Sequence, residues 1–399
     1  MIKVGVIFGG QTVEHEVSII SAIQAMEHFN KEKYEVVPIY ITKDKDMYTG
    51  AFLKEVDTFK DLDMIKKYAK NITIYLKDNK IVLQNKKGFK RIVNDVDIMF
   101  PVVHGVNVED GTLQGYLDTL GIPYVGSKVC ASSIGQDKVI QKQVLKQNDI
   151  DVVNYEWFYD IEFINDQNKV LKKLDSLKFP LIIKPANLGS SIGISKAKNK
   201  DELIKSINTA IEFDNKIIVE EMVSNLVEVN ASVMGDYTNY QVSELELVTG
   251  KDEFLSFEDK YIGNSKGKLK GKMASSKSGG MLNTSRVIPA DIDSKLYKKI
   301  KEMTLTTAHA LGLSGVVRID YLIDNKKKEV YLNELNIIPG SLSFYLWEAV
   351  GKSYSELLDE LITIAIKEYR RKDKKTYIFE SNILNNYNGV KGCKSKLKR

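Results

Sequence analysis

The sequence predicts an α/β fold, with a parallel strand–turn–helix unit first and mixed strand-and-helix blocks after it. Three observations carry this. The apolar run at residues 2–8 stops at Gly9-Gly10 and gives way to a helix-like stretch, the order in which a parallel α/β unit is built. The same alternation recurs along the chain. Hydrophobic residues make up 43% and charged residues 28% of 399 positions, enough for two or three domains with sizeable cores. That composition excludes a largely disordered chain. No apolar run is long enough for a membrane-spanning helix, so none is expected.

Residues 2–8 form a buried strand rather than a signal-peptide core, because no small-residue cleavage site follows. A helix is expected at 17–29, strands at 34–41 and 96–103, and a helix at 111–120. Pro and Gly then punctuate 121–126 and close a first domain, 1–126. One helix at 133–147 leads into a second domain, 127–225. Its strands are expected at 155–159, 181–184 and 216–221, with a helix at 200–213. The third domain, 226–370, opens with strands at 227–234 and 243–247. A Gly-, Ser- and Lys-rich loop at 263–285 follows, long enough to suggest a lid. Then come a helix at 291–311, strands at 315–323 and 329–336 joined by a short turn, and a helix at 354–370.

The net charge is +5, but residues 370–399 alone hold ten Lys/Arg against two Asp/Glu, so the rest is mildly acidic. A nucleic-acid footprint on the body is therefore not expected, and 371–399 reads as a solvated, flexible basic tail. Cys130 and Cys393 are the two cysteines. They form neither a disulfide framework nor a zinc site, so a reducing cytoplasm is the expected setting.

The densest polar pattern lies on the last strand pair. Arg318 and Asp320 are two apart and share a face, as do Glu334 and Asn336. A short turn makes the strands antiparallel neighbours, gathering a cation, two carboxylates and an amide on one surface. Two ionised carboxylates among apolar residues need compensation. A hard divalent cation with phosphate oxygens would supply it; a solvated sheet face with an ordinary ion pair is the alternative. Lys184-Pro185 runs into a loop holding Gly189, Ser190, Ser191 and Gly193, whose N–H groups and hydroxyls suit a phosphate. It is not a Walker A loop, and a plain hairpin turn remains open. Glu220, Glu221 and Val223 end a strand at a hinge that could meet an adenine edge, or simply turn the chain. Gly9-Gly10 ends the first strand, where α/β sheets place ligands, but no Gly-x-Gly-x-x-Gly follows, which disfavours a dinucleotide site. The acids after it could hold a cationic amine. His104 ends another strand at the same edge, as a ligand contact or a structural histidine.

In this order, over residues 2–370, these motifs resemble the ATP-grasp enzymes, and within them the D-alanine–D-alanine ligases. The matching residues are Gly9-Gly10 with Glu14-His15-Glu16-Val17-Ser18, His104-Gly105 with Glu109-Asp110-Gly111-Thr112, and Asp137-Lys138. Lys184-Pro185 with 189–193, Asp259-Lys260-Tyr261, Arg318-Ile319-Asp320, and Asn333-Glu334-Leu335-Asn336 with Pro339-Gly340 complete the set. The resemblance implies a Rossmann-like, pre-ATP-grasp N-terminal domain followed by a two-lobed α+β ATP-grasp fold. It also implies a cytoplasmic homodimer in peptidoglycan precursor synthesis. One D-alanine would take the γ-phosphoryl of ATP as an acyl phosphate, and the amine of a second would displace phosphate.

By that resemblance Asp320, Glu334 and Asn336 hold two magnesium or manganese ions. Lys138, Lys184, Lys260, Gly189, Ser190 and Ser191 face the phosphates; Glu220, Glu221 and Val223 face the adenine; and Glu228 faces the ribose. Arg318 and the Gly340 N–H stabilise the oxyanion. Glu14 binds the first ammonium and joins Ser190 and Tyr261 in a group that closes the lid, while His104 contacts the first substrate. After Gly340 the family usually continues Phe-Thr and then a serine for the second carboxylate. Here the stretch is shorter and reads Ser341-Leu342-Ser343-Phe344-Tyr345-Leu346-Trp347. Ser341, Ser343 or a lysine of 263–285 would have to replace that serine. Otherwise an aromatic wall of Phe344, Tyr345 and Trp347 would relax the choice of acceptor. A related ligase with another acceptor is therefore the competing reading.

Overall fold

The computed structural model describes residues 1–249, 285–378 and 381. Its strands form three sheets. In the first, Ile2–Gly9 pairs in parallel with Tyr34–Ile41 on one side and Ile98–Pro101 on the other. The parallel expectation holds for these three strands only. Four more, Met47–Thr49, Lys70–Lys77, Lys80–Asn85 and Ile92–Val96, extend the sheet with antiparallel pairing. Lys70–Lys77 alternates buried and open positions, and Asp78 and Asn79 turn the chain with φ of 49° and 59°, as a tight two-residue hairpin requires. The strand expected over 96–103 is broken at Asp97, whose carboxylate and N–H both bond the Lys3 backbone, each at 2.8 Å.

The helix expected at 133–147 is two helices, Val129–Gln136 and Lys138–Gln147. Asp137 separates them because its carboxylate caps the second, accepting from the N–H groups of Val139 and Ile140. Lys138 thereby becomes the first residue of a helix, with Lys142 one turn further along the same face.

The second sheet runs Ser195–Ala197, Leu181–Pro185, Lys216–Glu221, Tyr155–Tyr159, all antiparallel, and has its own core with helices Gln167–Leu174 and Lys200–Ile211. The third runs Ser285–Val287, Glu246–Thr249, Leu226–Asp236, Gly315–Asp324, Glu329–Asn336, with Asn239–Val242 beside Leu226–Asp236. The strand expected at 243–247 runs at Glu246–Thr249, with Asn239–Val242 a separate strand before it. Between them Ser243 turns inward, its hydroxyl taking the Ser232 N–H at 2.9 Å. A continuous apolar core joins the first sheet to the third and to helices Ser294–Leu311 and Tyr354–Asp373. Among the described residues no helix is long and apolar enough to cross a membrane.

One irregularity matters for the site. Asp320 lies opposite Glu334, but Tyr321 lies opposite Leu332, so Asn333 bulges from the ladder. Arg318 and Asn336 remain opposite each other beyond the bulge, and the four-residue cluster expected from the alternation forms.

Candidate active site

The second and third sheets, with loop and helix residues that follow strands of the first, line one cavity. From the third come Arg318, Asp320, Glu334 and Asn336. Arg318 clasps Asp320 with two bonds, Nε to Oδ1 at 2.7 Å and an Nη to Oδ2 at 2.9 Å, and the Asn336 amide donates to Oδ2 at 3.1 Å. Glu334 Oε2 is 3.4 Å from Lys138 Nζ. The donor set is all oxygen, two carboxylates and an amide, without imidazole or thiolate. Among the described residues no cluster of three or more His, Cys, Asp or Glu could cage a metal. Such a set suits Mg²⁺ or Mn²⁺ completed by substrate oxygens.

Lys138 also donates to the Leu188 carbonyl at 2.7 Å, pinning the loop that carries Gly189, Ser190 and Ser191 into the cavity. Ser190 and Ser191 have φ of 54° and 60°, a conformation that costs roughly 1–2 kcal/mol per residue outside glycine. The Ser190 hydroxyl donates to Glu14. A Cβ at Gly189 would stand 3.0 Å from a Glu14 oxygen, and one at Gly105, where φ is +83°, would stand 2.3 Å from the Thr12 hydroxyl. Both glycines make room for Glu14. Lys260 and Tyr261, expected beside these groups, lie outside the described residues, as do almost all of the expected lid, 263–285, and most of the tail.

Lys184 is buried at the second sheet, where Glu220 bridges it at 2.7 Å and bridges Lys142 at 3.1 Å. Burial alone would push the Glu220 carboxyl up, but the two lysines outweigh it and hold its pKa at about 2. The expectation that Glu220 meets an adenine amine is thus corrected in part: it lines the cavity, but its carboxylate is spent on two ammonium groups. Both lysines also reach the bulge, Lys142 to the Asn333 carbonyl and Lys184 to its side-chain oxygen, each at 3.1 Å. Lys142 carried no assignment from the sequence, although its spacing from Lys138 was a signal. Glu221 lines the cavity while accepting from Asn154 at 3.1 Å and Lys178 N–H at 3.0 Å. Val223 and Glu228 complete that wall.

His104 lines the cavity, yet both ring nitrogens are taken. Nδ1 is 2.7 Å from the Ile338 carbonyl, which can only accept, so Nδ1 carries the proton and Nε2 accepts from the Ser21 hydroxyl at 3.1 Å. A ring-nitrogen contact to substrate is therefore not what this geometry provides. His104 instead grips Ile338 from one side, while Glu109 Oε1 accepts the Ile338 N–H at 2.7 Å. Burial, with Glu14 nearby, pushes the Glu109 carboxyl up to about 8. Ser341 donates its N–H to Ser21 at 3.0 Å and its hydroxyl to Gln24 at 2.6 Å. Ser341 does not line the cavity, so its expected substrate contact is not met. These bonds hold 338–341 to the first domain and set Gly340 at the cavity wall, just before Ser341, Leu342 and Ser343 with φ of 50°, 54° and 50°. The aromatic wall is also corrected. Phe344 stacks on Tyr354, and Trp347 is buried with Nε1 donating to Ser232 at 3.1 Å. Only Tyr345 of the three faces the cavity, beside Glu246 and Arg286.

Burial holds the His104 pKa at about 4, below its ordinary 6.5. As pH falls below 6.5 the unfolded chain takes up a proton that the folded chain refuses until about pH 4. Stability complete above that window is lost through it, by about 3 kcal/mol in all. In His104→Asn, unfolding free energy should fall less steeply across the same range. Parallel curves for the two proteins in urea titrations would count against this.

A cleft between an N-terminal α/β unit and two sheets, lined by lysines and by metal-type oxygens, is the arrangement of an ATP-grasp enzyme. The chain matches the family models described as D-ala D-ala ligase N-terminus over residues 3–127 and D-ala D-ala ligase C-terminus over 144–363. It is 41% identical to a D-alanine–D-alanine ligase of Thermosipho melanesiensis, covering 96% of this chain and 98% of that one. It is 37% identical to D-alanine–D-alanine ligase B of Clostridium tetani, over 92% and 94%. Among solved structures it is similar to the VanG D-Ala:D-Ser ligase of Enterococcus faecalis, with TM-score 0.74, 30% identity, and 91% and 99% of the two chains covered. The D-alanine–D-alanine ligase of Coxiella burnetii follows at 0.76 and 25%, over 94% and 96%. The chain belongs to the D-alanine–D-alanine ligase family.

Proposed function

We propose that the chain joins two D-alanines at the expense of ATP, passing through an acyl phosphate, for peptidoglycan precursor synthesis. The observation that carries this is the meeting, in one cavity, of two phosphate-type lysines, a hard-oxygen metal set and Arg318 beside the Gly340 backbone. Phosphoryl transfer asks the protein for alignment and charge neutralisation rather than covalent help. Lys138, Lys184 and the loop 189–191 take the phosphates, and the segment 220–223 and Glu228 take the nucleoside. Asp320, Glu334 and Asn336 hold Mg²⁺ or Mn²⁺, which neutralises the transferring phosphoryl group when bound. Glu14 holds the ammonium of the first D-alanine, with Ser190 fixing the carboxylate. Arg318 and the Gly340 N–H face the charge that develops on the carbonyl oxygen when the second amine attacks; such preorganised donors are a large part of catalysis. His104 and Glu109 act as positioning residues by clamping Ile338. We further propose a cytoplasmic homodimer, and sedimentation would test the dimer.

The direct test is phosphate release and product analysis with ATP, Mg²⁺ and a panel of D- and L-amino acids. Phosphate released in step with D-alanyl-D-alanine is the expected result. Release without any D-alanine-led product would overturn the reading. D-Serine belongs in the panel because one similar structure is a D-Ala:D-Ser ligase.

A further inference from the structure

We propose that Lys142 is a positioning residue for the metal-type oxygens: it holds the backbone bulge at Asn333 that turns Glu334 and Asn336 into the cavity. The proposal rests on the reading of Asp320, Glu334 and Asn336 as the ion's ligands. It concerns a wholly buried ammonium, and burying such a charge is expensive unless partners compensate it.

The register shows what the bulge does. Before it, the last two strands pair Ile323 with Val330, Leu322 with Tyr331 and Tyr321 with Leu332. Continued without a break, that pairing would set Asn333 opposite Asp320 and Glu334 opposite Ile319. Opposite residues share a face of the sheet, and Ile319 is wholly buried in the apolar core. Glu334 would then send its carboxylate into the core, and Leu335 would stand across from Arg318. A slip of one residue inverts every side chain beyond it. With the extra residue at Asn333, Glu334 instead opposes Asp320, Leu335 joins Ile319 in the core, and Asn336 opposes Arg318. Two of the three ion ligands therefore depend on one bulge.

That bulge is held from a neighbouring helix and sheet. Asn333 has no residue opposite it in Gly315–Asp324, because an extra residue of this kind is left out of the ladder. Lys142 Nζ reaches its carbonyl at 3.1 Å, and Lys184 Nζ reaches its side-chain oxygen at 3.1 Å. An ammonium only donates, so both Asn333 oxygens accept. Glu220, 3.1 Å away, fixes Lys142 from the other side. Lys142 lies one turn after Lys138, which meets Glu334 at 3.4 Å. One helix face thus touches the bulge through Lys142 and the redirected carboxylate through Lys138. Lys142 itself does not line the cavity, so it acts through Asn333.

Lys142→Met keeps the length of the side chain and removes its donors. Wild type and variant are compared by amide hydrogen exchange and by Mn²⁺ binding, read as loss of the free-ion EPR signal beside a non-hydrolysable ATP analogue. Exchange at 332–336 should quicken by about tenfold or more in the variant, while exchange in Ile2–Gly9 stays as in wild type. Mn²⁺ should bind about tenfold more weakly, and the Mg²⁺ concentration for half-maximal kcat should rise by a similar factor. If the single variant fails to fold, Lys142→Met/Glu220→Gln removes both buried charges together and carries the same expectations. Unchanged Mn²⁺ affinity would overturn the proposal, since Lys142 would then serve stability alone. Weaker Mn²⁺ binding with exchange at 332–336 unchanged would also overturn it, because the effect would bypass the bulge. Wild type that binds no Mn²⁺ beside the analogue would overturn the metal reading and the proposal with it. Wild type that forms no D-alanyl-D-alanine would overturn the ligase reading, while exchange and Mn²⁺ binding would still decide the role of Lys142.

Discussion

Glu334→Gln is expected to remove most turnover, about a hundredfold or more, while leaving the fold intact. The substitution keeps the shape of the side chain and deletes one of the two carboxylates that Asp320 and Glu334 place opposite each other. A divalent ion held by a neutral amide in place of a carboxylate binds more weakly and neutralises the phosphates less well. Glu334 is also 3.4 Å from Lys138, so its loss also alters the setting of that lysine. The measurement is kcat across a Mg²⁺ titration, beside a thermal melt of each protein. A variant that melts normally and turns over like wild type at low Mg²⁺ would remove Glu334 from the metal set.

The largest effect on stability should come from Glu220→Gln. Glu220 is 2% exposed and stands between Lys142 and Lys184. Replacing its charge leaves two buried ammonium groups facing each other without a counter-charge. Removing one partner of a buried ion pair typically costs about 3–5 kcal/mol, and repulsion between the lysines adds to it. Urea unfolding should show a large fall in midpoint for Glu220→Gln. Lys142→Met should lose less, since Lys184 still answers Glu220. Equal midpoints for Glu220→Gln and wild type would mean that the lysines shed their protons or find water, and that the triad is not a stability element.

The parts of this site that were legible from sequence are those encoded by short-range rules. Two-residue alternation placed Arg318 with Asp320 and Glu334 with Asn336. A glycine- and serine-rich turn after Lys184 marked the loop that carries Ser190 and Ser191 into the cavity. What stayed hidden depends on pairings between distant segments. Arg286 meets Tyr345 and Glu246 only because an edge strand folds back on the third sheet, and no spacing announces that. His104 looks like a ligand-facing residue at a strand end until Ile338, far along the chain, takes its Nδ1. The Asn333 bulge has no glycine or proline to flag it. Asp137 was hidden for another reason: an aspartate fits both a helix interior and a cap, and only the burial of Lys138 and Lys142 favours the break.

The lining of the cavity has a consequence for how ligands enter. Among the described residues, eight carboxyl groups line it against four basic side chains, and burial, with Glu14 nearby, raises the Glu109 pKa to about 8. A bare polyanionic nucleotide therefore meets a vestibule of its own sign, while bare divalent ions meet acids already committed to Arg318 and Lys138. With a divalent ion held as proposed, each guest would favour the other, because the ion would relieve the repulsion and the phosphates would complete its oxygen shell. The two are thermodynamically linked: whatever the ion does for nucleotide affinity, the nucleotide must do for ion affinity by the same factor.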